Sequence, residues 1–306
     1  MIKIYIGILA AHLFVIPFTS YASQNCGRTG VWLQVLGSGG PELNDKRASS
    51  GYLVWQDGRA RVLIDMGPGS MLRYEESGAN FEDLEVVLLT HLHVDHSADL
   101  PALIKASYFT DRSNDLPIYG PTGNTLMPDT VSFVHSLFDV PNGAYRYLAG
   151  YLTGDEAFRL QANNVSTEGT DIKQVHKENN LIITAVAVHH GPIPALAWRI
   201  DLGKHSIAFS GDMNGDNHTL PKLAMGANML VAHHAIPQNA TGVARELHMP
   251  PSIIGEIAAE AKIRKLILSH RMNRTLGKEK ESKSEIRKHY SGFMKFADDG
   301  QCFKVD

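Results

Sequence analysis

The stretch His91-Leu92-His93-Val94-Asp95-His96 places four metal-ligand side chains within six residues, directly after the apolar run 85–89. Three imidazoles and a carboxylate next to a buried strand are costly to bury as ordinary core side chains. These residue types suit zinc, with manganese or iron as alternatives. His91 and His93 project to the same side of an extended segment, whereas Asp95 and His96 follow as the chain turns into a helix. The stretch therefore predicts a centre for two divalent metal ions.

The same order, an apolar run followed by a ligand-type side chain, recurs later in the chain. The runs and the side chains after them are 181–188 with His189-His190, 206–209 with Asp212, 229–231 with His233-His234, and 265–268 with His270. Open α/β folds place their sites at the carboxyl ends of neighbouring strands, so we expect these side chains to meet at one sheet edge. Helical patterns at 99–108 and 251–262 lie between the runs. The pattern predicts an α/β protein with sheet layers covered by helices.

Composition excludes several classes of protein. The chain has 306 residues, of which 43% are hydrophobic and 20% charged, so disordered, collagen-like and coiled-coil proteins are poor fits. Lys and Arg number 29 against 32 Asp and Glu, a formal net charge of −3. No global basic field exists to attract a polyanion, and we expect no nucleic-acid partner.

The N-terminus has the pattern of a secretory signal peptide. A lone Lys3 precedes the apolar run 4–18, and small residues lead to a cleavage position after Ala22. An uncleaved membrane anchor is the alternative, but the run is shorter than the ~20 residues that span a bilayer. We therefore expect a signal peptide at 1–22, a domain at 23–306 without stable membrane insertion, and a periplasmic or secreted location.

Cys26 and Cys302 are the two cysteines of the chain, one near each end of the expected domain. In an oxidising compartment they could form one disulfide, which would stabilise the fold by about 4 kcal/mol. Two unpaired thiols are the alternative.

Three motifs together resemble the metallo-β-lactamase superfamily, and the resemblance extends from residue 31 to about 275. They are the stretch from His91 to His96, Ser210-Gly211-Asp212, and Leu268-Ser269-His270. The resemblance implies an α/β fold in which a two-sheet β-sandwich is flanked by helices, an αββα arrangement. More narrowly, Leu36-Gly37-Ser38-Gly39-Gly40 with Arg47, and Leu247-His248-Met249, are similar to the ribonuclease Z and arylsulfatase-like branch.

The family pattern implies the metal ligands residue by residue. One ion would take His91, His93 and His190, the other would take Asp95, His96 and His270, and Asp212 would bridge them. His190 is preferred over His189 because the stretch 190–199 resembles the branch, and strand alternation points the two side chains to opposite faces.

The resulting charge suits an anionic substrate. Two dications, two aspartates and a metal-bridging hydroxide leave a net charge of about +1, which fits hydrolysis of a phosphodiester or an aryl sulfate. Asp95 could accept the proton of the attacking water, and His248 could donate one to the leaving oxygen. Arg47 either pins the glycine-rich loop or contacts the anionic substrate.

Two departures from the ribonuclease Z pattern lead us to expect a small anionic ester as the substrate. Where that family has a His-Glu-Ala segment, this chain reads His233-His234-Ala235, so an imidazole replaces the carboxylate that orients the catalytic histidine. Residues 141–180, where we look for the family's basic substrate-gripping arm, are slightly acidic. We expect instead an inserted helical cap around 107–180, whose aromatic side chains either pack the cap or roof a pocket.

Two alternative functions stay open from the sequence. One is a β-lactam or lactone hydrolase, although a bridging Asp212 is similar to the lactonases and not to the zinc β-lactamases. The other is a non-catalytic periplasmic metal-binding module. The natural substrate, the metal identity and the oligomeric state are not specified by the sequence.

Overall fold

The computed structural model describes residues 26–306 as two seven-stranded sheets that pack face to face. The first sheet has the strand order β14-β1-β2-β3-β4-β5-β6 and the second β13-β12-β11-β10-β9-β8-β7. The strands of the first sheet are β1 (Val31–Gly37), β2 (Gly51–Gln56), β3 (Arg59–Met66), β4 (Val86–Leu88), β5 (Leu116–Pro121), β6 (Leu160–Val165) and β14 (Cys302–Val305). Those of the second are β7 (Lys173–Glu178), β8 (Leu181–His190), β9 (Ile193–Leu202), β10 (His205–Phe209), β11 (Met229–His233), β12 (Lys265–Ser269) and β13 (Phe293–Phe296).

Helices cover the outer face of each sheet. They are α1 (Ser70–Ser77), α2 (Val94–Ser97), α3 (Leu100–Ser107), α4 (Thr130–Phe138), α5 (Gly150–Thr153), α6 (Thr219–Leu223), α7 (Val243–Leu247), α8 (Pro251–Glu260) and α9 (Glu279–Arg287). Apolar side chains of α1, α3, α4 and α5 pack on the first sheet, and those of α6, α8 and α9 pack on the second. The predicted αββα sandwich is therefore confirmed.

Side chains that alternate along each strand contribute to two separate hydrophobic cores, one between the sheets and one under the helices. In β2, Tyr52 and Val54 face the second sheet, whereas Leu53 and Trp55 face the helices. Successive side chains of a strand point to opposite faces, so one apolar run supplies both layers. The core between the sheets includes Trp198, which is fully buried.

Strand direction determines where the site forms. In the second sheet β10, β11 and β12 run parallel to one another, and β8 has the same direction because both β8 and β10 pair antiparallel with β9. In the first sheet β3 and β4 are parallel. The segments after β4, β8, β10 and β12 therefore meet at one rim of the sandwich, as the sequence predicted.

The two ends of the described chain are joined. Cys26 and Cys302 form a disulfide with a Cα–Cα distance of 5.4 Å, and β14 pairs with β1 beside it. The structure therefore contains the disulfide and not two unpaired thiols. The predicted signal peptide lies outside the described residues, and within 26–306 no helix is long and apolar enough to cross a bilayer.

The segment 107–180 is part of the sandwich and is not the inserted helical cap that we expected. It supplies β5, β6 and β7, which extend both sheets, and its helices α4 and α5 pack on the outer face of the first sheet. Phe138, Tyr151 and Phe158 are buried in that outer core, whereas Tyr108 and Phe109 are exposed. Its aromatic side chains therefore divide between an ordinary core and the surface.

Candidate metal centre

The side chains predicted as metal ligands come together at one rim of the sandwich. All are buried except His93, which is half-buried. Their positions are His91 after β4, His93 at the start of α2, Asp95 and His96 within α2, His190 at the end of β8, Asp212 after β10, and His270 after β12. His270 has a left-handed backbone, with φ +53°. The ends of four strands and one short helix thus build the cluster.

The first half of the cluster contains three imidazoles. His91 Nε2 lies 3.0 Å from His93 Nδ1, and His190 Nε2 lies 3.4 Å from the same atom. Ligand atoms of the three residues all lie within 4.8 Å of one another. Three converging imidazole nitrogens are a typical donor set for zinc.

The second half combines a carboxylate with two imidazoles. Asp95 Oδ2 lies 3.2 Å from His270 Nε2 and 3.5 Å from His96 Nε2. Gly40 passes close to this half, since a Cβ on it would lie 2.9 Å from His270 Cε1. The glycine-rich loop therefore serves close packing beside the cluster.

Asp212 joins the two halves through a single oxygen. Its Oδ2 lies 3.9 Å from Nε2 of His91, 3.7 Å from that of His190, 3.6 Å from that of His96 and 3.4 Å from that of His270. Its other oxygen, Oδ1, accepts a hydrogen bond from His233 Nδ1 at 2.7 Å. One carboxylate oxygen that faces both halves has the placement of a bridging ligand.

Hydrogen bonds outside the cluster fix the imidazole tautomers. His96 Nδ1 bonds to Asp65 Oδ2 at 2.8 Å, and His190 Nδ1 bonds to the Leu247 carbonyl at 2.8 Å. Because these partners accept hydrogen bonds, Nδ1 of each ring carries a proton, and Nε2 is the atom that points into the cluster. His96 Nε2 is buried without a hydrogen-bond partner in the described part of the chain. A divalent cation would satisfy it, so the residues present fit a metal.

The electrostatics match a cation site. Burial raises the pKa of Asp212, but the imidazoles of His270, His248 and His96 and the hydrogen bond from His233 hold this pKa well below its usual value. Burial also lowers the pKa of His91 and of His190, so both imidazoles are neutral near pH 7. For His96 and His270, burial is outweighed by the carboxylates of Asp95 and Asp212, which raise the pKa. Ionised carboxylates and neutral imidazoles are the forms that bind metal ions.

His248 lies beside the cluster and in neither half. Its Nδ1 is 3.9 Å from Asp212 Oδ2 and is buried without a hydrogen-bond partner in the described residues. Burial lowers the pKa of His248 to about 3, although Asp212 opposes the shift. This position suits a contact to a bound substrate, and the proton-transfer roles of Asp95 and His248 stay predictions.

The structure points His190, not His189, into the cluster. His190 is 1% exposed, whereas the His189 side chain is 45% exposed and its Nδ1 accepts a hydrogen bond from the Asn214 amide. Arg47 donates to Ser38 Oγ and to Asp298 Oδ1, and therefore pins the glycine-rich loop.

Sequence reasoning missed two side chains that act on the cluster. Asp65, at the end of β3, accepts hydrogen bonds from both the backbone amide and the hydroxyl of Thr90 as well as from His96. An acidic residue inside an apolar strand was the available signal. His233 was expected at the rim, as a side chain after an apolar run, and was noted in a departure from the family motif, but it was given no role in the cluster; it contacts Asp212 directly. His234, the residue in the position of the family glutamate, bonds instead to Ser282 Oγ at 2.9 Å.

Comparisons with known proteins agree with this geometry. A family model described as "Beta-lactamase superfamily domain" matches residues 60–271. Ribonuclease Z of Mycobacterium sp. (strain KMS) is 30% identical over 247 residues, which cover 77% of this chain and 82% of that protein. Ribonuclease Z of Haloferax volcanii is 25% identical over 309 residues, covering 88% and 93%.

Solved structures support the fold. A metallo-beta-lactamase fold protein from Bacillus subtilis superposes with a TM-score of 0.70 at 21% identity and covers 89% of this chain and 98% of its own. The short form of human tRNase Z superposes with a TM-score of 0.69 at 17% identity, covering 90% and 99%.

The matches correct one expectation. The prediction that nucleic acid is not a partner is contradicted, because the matching relatives are ribonuclease Z proteins. That prediction rested on the net charge and on the slightly acidic segment 141–180, and neither describes the local field of a cation centre. The motifs, the rim geometry and these matches together show that the chain belongs to the beta-lactamase superfamily, as a ribonuclease Z-like metal-dependent hydrolase.

Proposed function

We propose that this protein is an exported phosphodiesterase that uses two divalent metal ions to hydrolyse RNA. The observation that carries the proposal is the position of Asp212 Oδ2, within 3.9 Å of imidazole nitrogens from both halves of the cluster. A carboxylate shared in this way suits a two-metal site, which is a common arrangement for phosphodiester chemistry.

The ligands follow from the two halves. We assign His91, His93 and His190 to one ion, Asp95, His96 and His270 to the other, and Asp212 to both. Zinc is the metal that the imidazole-rich donor set favours. Bound there, two such ions would supply a hydroxide nucleophile near neutral pH and stabilise charge on the phosphoryl oxygens.

The net charge of the metal-loaded centre favours an anionic substrate. Two dications and the ionised Asp95 and Asp212 leave a net charge of about +2 before any substrate or hydroxide is bound. Such a charge in a buried site favours a scissile group that is itself anionic, as a phosphodiester is, over the neutral ring of a lactam or lactone. His248 Nδ1 has no other partner in the described residues and is free to hydrogen-bond the substrate beside Asp212.

RNA is the substrate class that the relatives support. Proteins named ribonuclease Z match over more than three quarters of this chain, and the human structural neighbour is named tRNase Z. The phosphodiester bond is shared by RNA and by small diesters, so the chemistry of the centre is the same for both.

Export is supported by two independent features. The pattern of residues 1–22 is typical of a signal peptide. The Cys26–Cys302 disulfide joins the ends of the described chain, and disulfides persist in oxidising compartments.

The test uses the full chain expressed with its leader. Intact mass and cell fractionation should give an exported protein that begins after Ala22, and metal analysis should give two equivalents of metal per chain. The metal-loaded protein is then assayed on single-stranded RNA, RNA with an unpaired 3′ extension, bis-p-nitrophenyl phosphate, p-nitrophenyl sulfate, a lactone and nitrocefin.

Cleavage of RNA and the phosphate diester, but not of nitrocefin or the lactone, is the expected result. Hydrolysis confined to the sulfate, lactone or lactam would overturn the substrate proposal, and a metal-replete protein inert on the whole panel would overturn the enzyme. His189→Ala is the matched control, since His189 adjoins the ligand His190 in sequence and lies outside the cluster.

A further inference from the structure

His233 lies against the centre with both of its ring nitrogens engaged. Nδ1 is 2.7 Å from Asp212 Oδ1, and Nε2 is 3.1 Å from the Tyr52 hydroxyl oxygen. That oxygen is also hydrogen-bonded to Ser269 Oγ, at 2.9 Å. His233 and Tyr52 are buried. Tyr52 is on β2 of the first sheet, whereas His233 and Ser269 are on strands of the second and Asp212 follows β10 of that sheet, so the hydrogen-bonded series crosses the sandwich.

The contacts allow one neutral tautomer of His233. Asp212 Oδ1 can only accept, so the proton must be on Nδ1, and Nε2 must accept in turn. The Tyr52 hydroxyl is within reach of both Nε2 and Ser269 Oγ, to which it donates in the structure; when its proton turns to Nε2, the Ser269 hydroxyl can donate to the Tyr52 oxygen instead. Every member of the chain is satisfied in this arrangement, as buried polar groups require.

This tautomer determines which oxygen of Asp212 faces the metal ligands. With Oδ1 held by His233, the carboxylate cannot rotate to offer both oxygens to one cation. Oδ2 alone is left facing the nitrogens of His91, His96, His190 and His270. A single oxygen held between two sites favours bridging over bidentate binding to one ion.

We propose that His233 and Tyr52 are positioning residues that hold Asp212 in the bridging orientation and thereby set the affinity for the second cation. The inference deepens the proposed two-metal function and rests on it. The competing assignment makes His233 itself a ligand, because one of its ring nitrogens lies within 4.8 Å of ligand atoms of His96, Asp212 and His270. Against this, Nδ1 is directed at Oδ1 and Nε2 at Tyr52, which leaves no lone pair for a metal.

Three variants of His233 separate the two assignments. Asn carries its amide nitrogen where the imidazole carries Nδ1, so His233→Asn can still donate to Asp212 Oδ1. His233→Gln places the amide one bond further along, and His233→Ala removes the donor. Tyr52→Phe removes one oxygen and keeps the ring, whose centroid is 5.6 Å from that of Phe209.

The measurement is zinc binding by the full mature chain, as stoichiometry and stepwise Kd from competition with a chelating dye. We expect wild-type protein to bind two equivalents. His233→Ala and His233→Gln should weaken the second equivalent about 10- to 100-fold, and Tyr52→Phe less than about 10-fold, with the first equivalent nearly unchanged. His233→Asn should recover most of the lost affinity. Thermal melts of the metal-free variants establish that each is folded.

Each other outcome counts against the proposal. Wild-type affinity in both His233→Ala and His233→Gln would remove the positioning role. An equal loss in His233→Asn and His233→Ala would favour direct ligation by His233. If His233→Ala fails to fold, the Asn and Gln pair decides the question alone. Wild-type protein that binds fewer than two equivalents would refute the two-metal function itself, and this result is distinct from a change seen only in the variants.

Discussion

Asp212→Asn is the sharpest test of the shared oxygen, because the substitution keeps the shape of the side chain and removes its charge. His233 Nδ1 donates to the oxygen at the Oδ1 position. An amide must therefore direct its oxygen there, which puts the NH2 group where Oδ2 now faces both halves of the cluster. A group with two N–H donors and no lone pair repels cations. We thus expect Asn to be nearly as damaging as Ala.

The magnitude follows from burial. Asp212 is 2% exposed and its Oδ2 is surrounded by imidazole nitrogens at 3.4–3.9 Å. Removing one partner of a buried charge pair costs about 3–5 kcal/mol, which corresponds to a loss of about 100- to 5,000-fold in affinity for at least one cation. Turnover of a phosphate diester should fall by at least the same factor, since both ions lose a common ligand.

The assay combines metal analysis after dialysis at a fixed free zinc concentration with dye competition and steady-state turnover. His189→Ala serves as the control and should match the wild type in all three. An Asp212→Asn protein that holds two equivalents with wild-type affinity would refute the bridging role of Asp212 and, with it, the positioning role of His233.

Three further predictions concern other parts of the structure. His248→Ala should retain both metals and slow diesters with poor leaving groups far more than activated nitrophenyl diesters; equal losses on both would exclude a proton-donor role. Asp65→Ala should weaken the ion bound by His96 about 10- to 100-fold in dye competition, because His96 loses the partner that fixes its tautomer, and an unchanged Kd would contradict this. Replacing Cys26 and Cys302 by Ser should lower stability by up to about 4 kcal/mol and the Tm by about 5–15 °C in a calorimetric scan, because the bridge closes a loop with a sequence separation of 276; a Tm unchanged within error would mean that β14 pairing alone holds the ends.

The positions of the clustered side chains could be predicted because each follows a local pattern. The stretch from His91 to His96 and the single ligands after later strands are visible as polar residues at the ends of apolar runs. Parallel strands bring such ends to one rim whatever the detailed packing, so the cluster follows from strand type and direction.

The strands of the segment 107–180 were not predicted, because the local sequence argues against a strand and only tertiary contacts favour one. β5 reads Leu-Pro-Ile-Tyr-Gly-Pro, and two prolines and a glycine argue against a strand in isolation. Its pairing with β4 and β6, and the burial of Leu116 and Ile118 under α4 and α5, nevertheless make it one. The net charge led to the wrong prediction about nucleic acid, because it is a sum over the chain and carries no information on where the charges lie.

The sequence by itself determined the α/β class and the side chains that gather at the rim, because these depend on residue type, spacing and strand direction. The division of those side chains between two ions came from the family resemblance and is part of the proposed function. Only the tertiary structure decided the orientation of the donors. Asp65 lies 31 positions before His96, and Tyr52 lies 181 positions before His233, yet each pair is joined by one hydrogen bond. A hydrogen bond requires a distance of about 3 Å and a suitable direction. For residues this far apart in sequence, only the folded structure of the whole chain provides both.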